Sequence, residues 1–337
     1  MRNQITSLGI DLAKNVFELC GLDAGHAVVY RRRVRRGQLL ATLAQLNVEV
    51  VGLEACAGAH DWARRFRELG HDVRLLAPQH VKPFVQGQKN DRQDAQAIAV
   101  AATQGHLPTV AIKSRDQQDI QSLHRVRELH KQQRTQLINQ ARGLLHEYGL
   151  VLPAGVAGFR RGAAAALDDA RLSPLLRQLL ADLLARYRAT DDQVRAYDRQ
   201  IEALGRQLPV CRRLQAIEGI GPLTATALYA HVGDARYFAR GRQFSASLGL
   251  VPRQYSSGDK RRLGGISKRG DRYLRTLLIH GARAVLTRAQ HLSGRRGAWL
   301  RQRLAQQGAN RAAVALANKN ARIAWALMAH DCDYQPA

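Results

Sequence analysis

The sequence predicts a mixed α/β domain at the N-terminus, followed by two mostly helical regions. Three observations predict it. Short apolar runs with strand character are gathered before residue 80. Helical spacing separates the later ones. From Asp116 onward, long proline-poor stretches carry helical periodicity instead.

In chain order, Ile5 to Leu12 reads as a strand ending in Gly9-Ile10-Asp11. Val16 to Leu22 and Ala27 to Val34 read as two more, joined by an Asp23-Ala24-Gly25 turn. Gly37 to Leu46 reads as a helix, and Val48 to Leu53 as a short apolar strand followed by Glu54. A helix over Gly58 to Leu69 and a strand over Asp72 to Leu76 complete a mixed sheet. Asn90 then caps an alanine-rich helix holding Ala95, Ala97, Ala99, Ala101 and Ala102.

Asp116 to Tyr148 is polar, charged and free of proline, and reads as one long helix. Gly149 to Gly162 carries Pro153 and several glycines and reads as a break, with a shorter alanine-rich piece after it. Ser173-Pro174 supplies an N-cap and a first-turn proline. From there Leu176, Leu180, Leu183, Tyr187, Thr190, Val194, Tyr197, Ile201, Leu204 and Leu208 recur at heptad spacing, until Pro209 ends the run. Such a seam pairs either with the preceding long helix or with a second subunit. Residues 276–330 alternate apolar and basic helical stretches, and Asp331 to Ala337 reads as a frayed end. The expected domains are 1–110, 115–210 and 211–337.

The chain has 337 residues, with 52 Lys+Arg against 27 Asp+Glu, a formal net charge of +25. That excess implies a polyanionic partner. No apolar run has the length of a membrane span, and no N-terminal signal pattern is present. Nucleic acid is therefore the expected partner, with no membrane. Cys20, Cys56, Cys211 and Cys332 show no CxxC pairing, so free thiols in a reducing cytoplasm are expected, not a zinc site.

The candidate chemistry begins with carboxylates. Asp91 and Asp94 lie three residues apart at a helix start and share a face. Acidic residues also favour a first helical turn because of the helix dipole. Asp11 and Glu54 each close a strand, so four carboxylates from three elements can converge at one sheet edge. Gly9 and the small residues Ala55, Ala57 and Gly58 are expected to leave room for a bulky ligand. Hard divalent cations take oxygen ligands, and a pair of them clamps both oxygens of a phosphoryl displacement.

Further on, Leu214 to Ala225 has the Gly219-Ile220-Gly221 pattern of a helix–hairpin–helix, whose glycines let backbone approach a phosphate. A plain helix–turn–helix connection is the alternative. Residues 251–337 hold 17 Lys+Arg against 4 Asp+Glu. Within them Ser256-Ser257-Gly258 sits on a glycine-flanked turn with cations on both sides. A serine needs its proton removed or its developing charge stabilised before it attacks phosphorus, and arginines meet the second need.

Three segments carry a resemblance: Gly9-Ile10-Asp11-Leu12-Ala13-Lys14-Asn15, Leu53-Glu54-Ala55-Cys56-Ala57-Gly58-Ala59-His60 and Lys89-Asn90-Asp91-Arg92-Gln93-Asp94-Ala95. With Tyr255-Ser256-Ser257-Gly258, set between a Leu-Gly-Leu-Val-Pro run and an Ile-Ser-Lys-Arg-Gly run, they resemble the DEDD transposases of the insertion sequence 110 family, 1111-like subgroup. The resemblance runs from residue 5 to about 330, with the motifs in family order. It implies a RuvC-like, ribonuclease-H-type α/β fold for the first domain, a coiled-coil middle and a mostly α-helical transposase domain with a helix–hairpin–helix-like motif. It implies that Asp11, Glu54, Asp91 and Asp94 hold Mg²⁺ and that Ser257, which precedes the glycine, is the nucleophile. Lys14, Gly219, Gly221, Arg253, Lys260, Arg261, Arg262, Lys268, Arg269, Arg272 and Arg275 are the expected nucleic-acid contacts. The implied partners are donor and target DNA, a bridge RNA that guides the enzyme to both, and further copies of the chain as a dimer or a dimer of dimers. The resemblance tips the heptad seam toward the oligomer. The expected location is the bacterial cytoplasm, at the nucleoid. Two rival readings are a RuvC-like metal-dependent nuclease that needs no serine, and a non-catalytic nucleic-acid-binding protein.

Overall fold

A five-stranded sheet is built from β1 (Ile5–Asp11), β2 (Val16–Leu22), β3 (Val28–Arg35), β4 (Val48–Glu54) and β5 (Asp72–Leu76). Its spatial order is β3-β2-β1-β4-β5. The first three strands form an antiparallel meander, while β4 and β5 run parallel to β1. This computed structural model describes residues 4–87, 90–258 and 260–335. The mixed α/β arrangement, with a mostly helical remainder, is consistent with the ribonuclease-H-like expectation.

Both faces of the sheet are covered. Alternate residues such as Leu8, Ile10, Phe17, Leu19, Val51 and Leu53 pack with helices α1 (Leu39–Ala44) and α2 (Ala59–Glu68). The opposite face carries α3 (Pro78–Val81) and α4 (Asp91–Thr103). Helix α4 buries Ala95, Ala97, Ile98, Ala99, Ala101 and Ala102. Small side chains there meet glycines on the strands, so helix and sheet come into backbone contact. Gly9 faces Ala95 and Ala99, and Gly52 faces Ile98 and Ala102. Ser7 Oγ donates to the Ala99 carbonyl at 2.8 Å on the same seam. Gly9 was expected to leave room for a ligand; α4 fills that space instead. Gly58 has φ +83, which places the left-handed turn before α2 at a residue without Cβ.

The chain divides into two compact units. The first comprises residues 1–115 and 232–239, the second 116–231 and 240–337. In the second, α5 (Arg115–Glu147) and α7 (Pro174–Gln207) form an antiparallel pair. Arg127 bonds Asp198 at 2.6 Å and Arg134 bonds Asp191 at 2.7 Å, so one helix descends as the other rises. The heptad seam is thus paired within the chain. Its buried positions are Leu176, Leu180, Leu184, Tyr187, Asp191, Val194, Ile201 and Gly205. Leu183, Thr190 and Leu204 of the expected seam are only half-buried, because an α-helix turns in about 3.6 residues and drifts off a strict 3.5-residue repeat. A short helix, α6 (Gly155–Gly162), lies where only a break was expected; its Phe159 packs edge-on against Tyr187.

Helices α8 (Pro209–Gln215), α9 (Pro222–Val232) and α10 (Gly241–Ser247) lead to a β-hairpin of β6 (Pro252–Ser257) and β7 (Lys260–Ile266). Helices α11 (Arg272–Leu286) and α12 (Gly294–His330) follow, the latter kinked at Gly308. Among the described residues no helix is long and apolar enough to cross a membrane. All four cysteines are free.

Candidate active site

Asp11 ends β1 on the face that α4 covers. Asn90 caps α4 by accepting from the Gln93 N–H at 3.0 Å, which fixes where the first helical turn begins. That turn holds Asp91 and Asp94. One carboxylate oxygen from each of Asp11, Asp91 and Asp94 lies within 4.8 Å of the others. The close seating of α4 on Gly9, two residues before Asp11, sets this spacing.

Glu54 ends β4, and the pairing of Ile10 with Leu53 leaves Asp11 and Glu54 side by side at the ends of adjacent strands. Glu54 stands outside the group of three, yet its charge reaches Asp11. Burial, then the charges of Asp94, Asp91, Glu54 and Glu18, push the Asp11 carboxyl from 3.8 up to about 6. Glu18 was not foreseen as part of the site. It sits on β2 directly across from Asp11 and forms an ion pair with Arg33 at 3.3 Å. The signal was present in the alternation Phe17-Glu18-Leu19, where the flanking apolar residues are buried on the opposite face.

This donor set fits a hard divalent cation. It offers only oxygen ligands, and burial together with the neighbouring carboxylates disfavours the charged form of Asp11, a cost that a bound cation relieves. His60, from the same motif as Glu54, has a structural job. Its Nδ1 accepts the Lys113 N–H at 3.2 Å, and burial with the Lys113 and Arg64 charges lowers its pKa to about 4.

Ser257 belongs to the second unit. It is the last residue of β6, and the turn to β7 follows at once. The expected turn at Ser256-Ser257-Gly258 is therefore the tip of a hairpin. Every residue of β6 is exposed. The hairpin is held at its base: Ser267 donates to Val251 O at 2.8 Å, Lys268 to Gly249 O at 3.1 Å, and Arg275 Nη1 to Leu248 O at 2.9 Å. Gly270, at φ +104, is so close to Ser247 that a Cβ would stand 1.7 Å from its carbonyl oxygen.

Cross-strand register separates the two serines. Ser257 pairs with Lys260 and Tyr255 with Arg262, and positions two apart along a strand share a face. Ser257 thus stands in a row with Tyr255, Lys260 and Arg262. Ser256 lies on the other face, where its Oγ accepts from Gln254 Nε2 at 3.0 Å.

Arg253, Lys260, Arg262, Lys268, Arg269 and Arg272 are all exposed around this hairpin, and Lys14 is exposed after β1. The side chain of Arg261 lies outside the described residues, as do Lys89 and Asp259. Arg275 is engaged at the hairpin base. Gly219, at φ +89, packs on the backbone of Gly281 in α11, which accounts for a glycine without any phosphate. Gly221 is exposed and meets nothing within 4 Å.

Two family models match the chain. One, described as transposase and built on the DEDD transposases of IS110 elements, covers residues 8–150. The other, described as the transposase IS116/IS110/IS902 family, covers residues 211–298. The chain is 46% identical over 333 residues to the transposase for insertion sequence element IS1111A of Coxiella burnetii, covering 98% of this chain and 92% of that protein. It is 48% identical to a probable family 20 transposase of Pseudomonas aeruginosa, over 98% of this chain and 99% of the relative. A transposase for element IS1328 of Yersinia enterocolitica is 40% identical, over 95% and 96%.

Proposed function

The chain belongs to the IS110 family of insertion-sequence transposases, IS1111 relatives included, and on that premise we propose that it cuts and rejoins DNA through Ser257 and a carboxylate-held Mg²⁺. It is an enzyme of DNA transposition, and its substrates are DNA. The observation that carries the proposal is the convergence of Asp11, Asp91 and Asp94, with Glu54 beside them, at the point where α4 meets β1.

Asp11, Asp91 and Asp94 would hold the ion, with Glu54 beside them. When bound, it supplies Lewis-acid polarisation of a phosphate oxygen and charge neutralisation in the transition state. The seryl oxygen of Ser257 gives up its proton and forms a bond to phosphorus. One P–O ester bond of the DNA backbone breaks, and the released strand end takes the proton and leaves as a hydroxyl. The other strand end stays on the protein as a phosphoserine ester, which keeps the bond energy for rejoining. Lys260 and Arg262, in the same row as Ser257, stabilise the negative charge that builds on the phosphoryl oxygens. Arg253, Lys268, Arg269 and Arg272 hold flanking phosphates, as does Lys14 in the other unit. Gly221 admits a phosphate to the start of α9 in the manner of a helix–hairpin–helix.

The carboxylates and the serine come from different units, so the working site is assembled, within one chain or between copies. Two DNA duplexes must be handled at once, which calls for a dimer or a dimer of dimers. The α5–α7 pair would serve that assembly as a coiled coil. A bridge RNA supplies the sequence choice by base pairing, leaving to the protein contacts that read backbone and shape. Element excision and integration in cells test the proposal. Asp11→Asn, Glu54→Gln and Ser257→Ala are each expected to abolish both. Retained activity in Ser257→Ala would leave a metal-only nuclease. Retained activity in Asp11→Asn would remove the metal role.

A further inference from the structure

The sheet register draws a line across four strands. Glu54 lies beside Asp11, Asp11 pairs with Glu18, and Glu18 pairs with Arg33 on β3. Cross-strand neighbours share a face, so this row runs from the carboxylate cluster to the edge of the sheet on the side that α4 covers. Two residues along, Gly9 pairs with Cys20 and Cys20 with Arg31, on the same face. Arg31 Nη2 reaches α4 and donates to Gln96 Oε1 at 2.7 Å. Between β3 and the start of α4 lies an open groove lined by Arg31, Arg33, Arg92, Glu18 and Asp91. Asp91 is therefore shared between the groove and the carboxylate cluster.

Along the groove itself Arg31, Arg33 and Arg92 face two carboxylates, Glu18 and Asp91, so cations outnumber acids there. Arg33 is paired with Glu18 but keeps 70% of its side chain exposed. Guanidinium groups in an open groove suit phosphate oxygens, which they hold in a planar, two-point contact. Charge on an edge strand also guards against edge-to-edge pairing, but that duty calls for no alignment with the cluster.

We propose that the β3–α4 groove is a DNA backbone track, in which Arg31 and Arg33, with Arg92, hold the phosphates flanking the one presented to Asp11, Asp91 and Asp94. These are positioning residues: they set which phosphate reaches the cluster and take no part in the bond changes. The proposal rests on the reading of that cluster as the cleavage site. It predicts phosphate contacts at a place remote in sequence from the basic C-terminal hairpin.

The test is the salt dependence of DNA binding by the full chain. It is measured in EDTA on a Ser257→Ala background, so that no cleavage enters. Each phosphate contact contributes a slope of about 0.7–0.9 in log K against log salt. Arg31→Gln with Arg33→Gln should lower the slope by about 1.4–1.8 on that basis. The charge-preserving pair Arg31→Lys with Arg33→Lys should keep it. Single Arg31→Gln, which leaves the Glu18–Arg33 pair intact, should lose half as much and serves if the double variant does not fold. An unchanged slope overturns the track, as does a loss seen with RNA oligonucleotides and not with DNA. Failure of the cleavage-site reading shows separately, as DNA cleavage that survives Asp11→Asn.

Discussion

Gly9 of β1 lies directly beneath Ala95 of α4: a Cβ at Gly9 would stand 2.1 Å from the Ala95 carbonyl oxygen. Ala95 follows Asp94, and Gly9 precedes Asp11 by two residues, so this one contact spaces the carboxylates. Gly9→Ala should push α4 off the sheet, at an overpacking cost of about 1–3 kcal/mol, and weaken divalent-ion binding along with it. Gly105→Ala, which meets nothing within 4 Å, should change neither. Calorimetric titration with Mn²⁺ and thermal melting of the two variants make the comparison.

The Asp11 carboxyl, raised from 3.8 to about 6, makes the metal-free protein pH-sensitive. Between about pH 4 and 6 the folded chain holds a proton that the unfolded chain has released. Stability therefore falls as pH rises through that window and stays lower above it. Melting in EDTA across pH 4–8 should show this decline, and Asp11→Asn should flatten it and melt higher at neutral pH. A cation competes with the same proton, so its affinity should weaken about tenfold per unit below about pH 6.

His124 has the opposite sign. It is 4% exposed, between Tyr273 Oη and Thr226 Oγ1, each 3.0 Å from a ring nitrogen. Burial, then the Arg127 charge, lowers its pKa from 6.5 to about 4. Its neutral form supports the fold. That contribution is complete above about pH 6.5 and is lost as pH falls toward 4. His124→Gln should remove this part of the acid sensitivity, as read from urea midpoints between pH 4 and 7.

Asp191 is 5% exposed and bonds Arg134 and Arg195, both at 2.7 Å. Asp191→Ala strands the largely buried Arg134 at the α5–α7 interface, while the half-exposed Arg195 can turn to water, and should cost about 3 kcal/mol. Asp61→Ala breaks only an exposed pairing with Arg64 and Arg65 and should cost under about 1 kcal/mol. Urea unfolding of both variants checks the difference.

The strands and long helices were legible because each is an apolar or periodic run with clear ends, such as the acids after β1 and β4 and the Asn90 cap. The neighbourhood of Asp11, Asp91 and Asp94 was legible for the same reason: strand end and helix start are local signals. What was not legible depends on contact. Glu18 joins the cluster only through the antiparallel register of β2. The function of Gly9 appears only when α4 lies on it. The hairpin from Pro252 to Ile266 escaped because both strands are largely exposed and polar, with no apolar alternation to mark them. Asp191, a charge in the buried stripe, broke the pattern by which the seam was read.

The most direct test is a cleavage reaction with end-labelled DNA carrying the element's ends, Mg²⁺ and RNA transcribed from the element's flanks, run on a denaturing protein gel. A labelled protein band is expected for the unaltered chain, absent from Ser257→Ala and from Asp11→Asn. Free cut DNA with no labelled protein, undiminished in Ser257→Ala, would contradict the account.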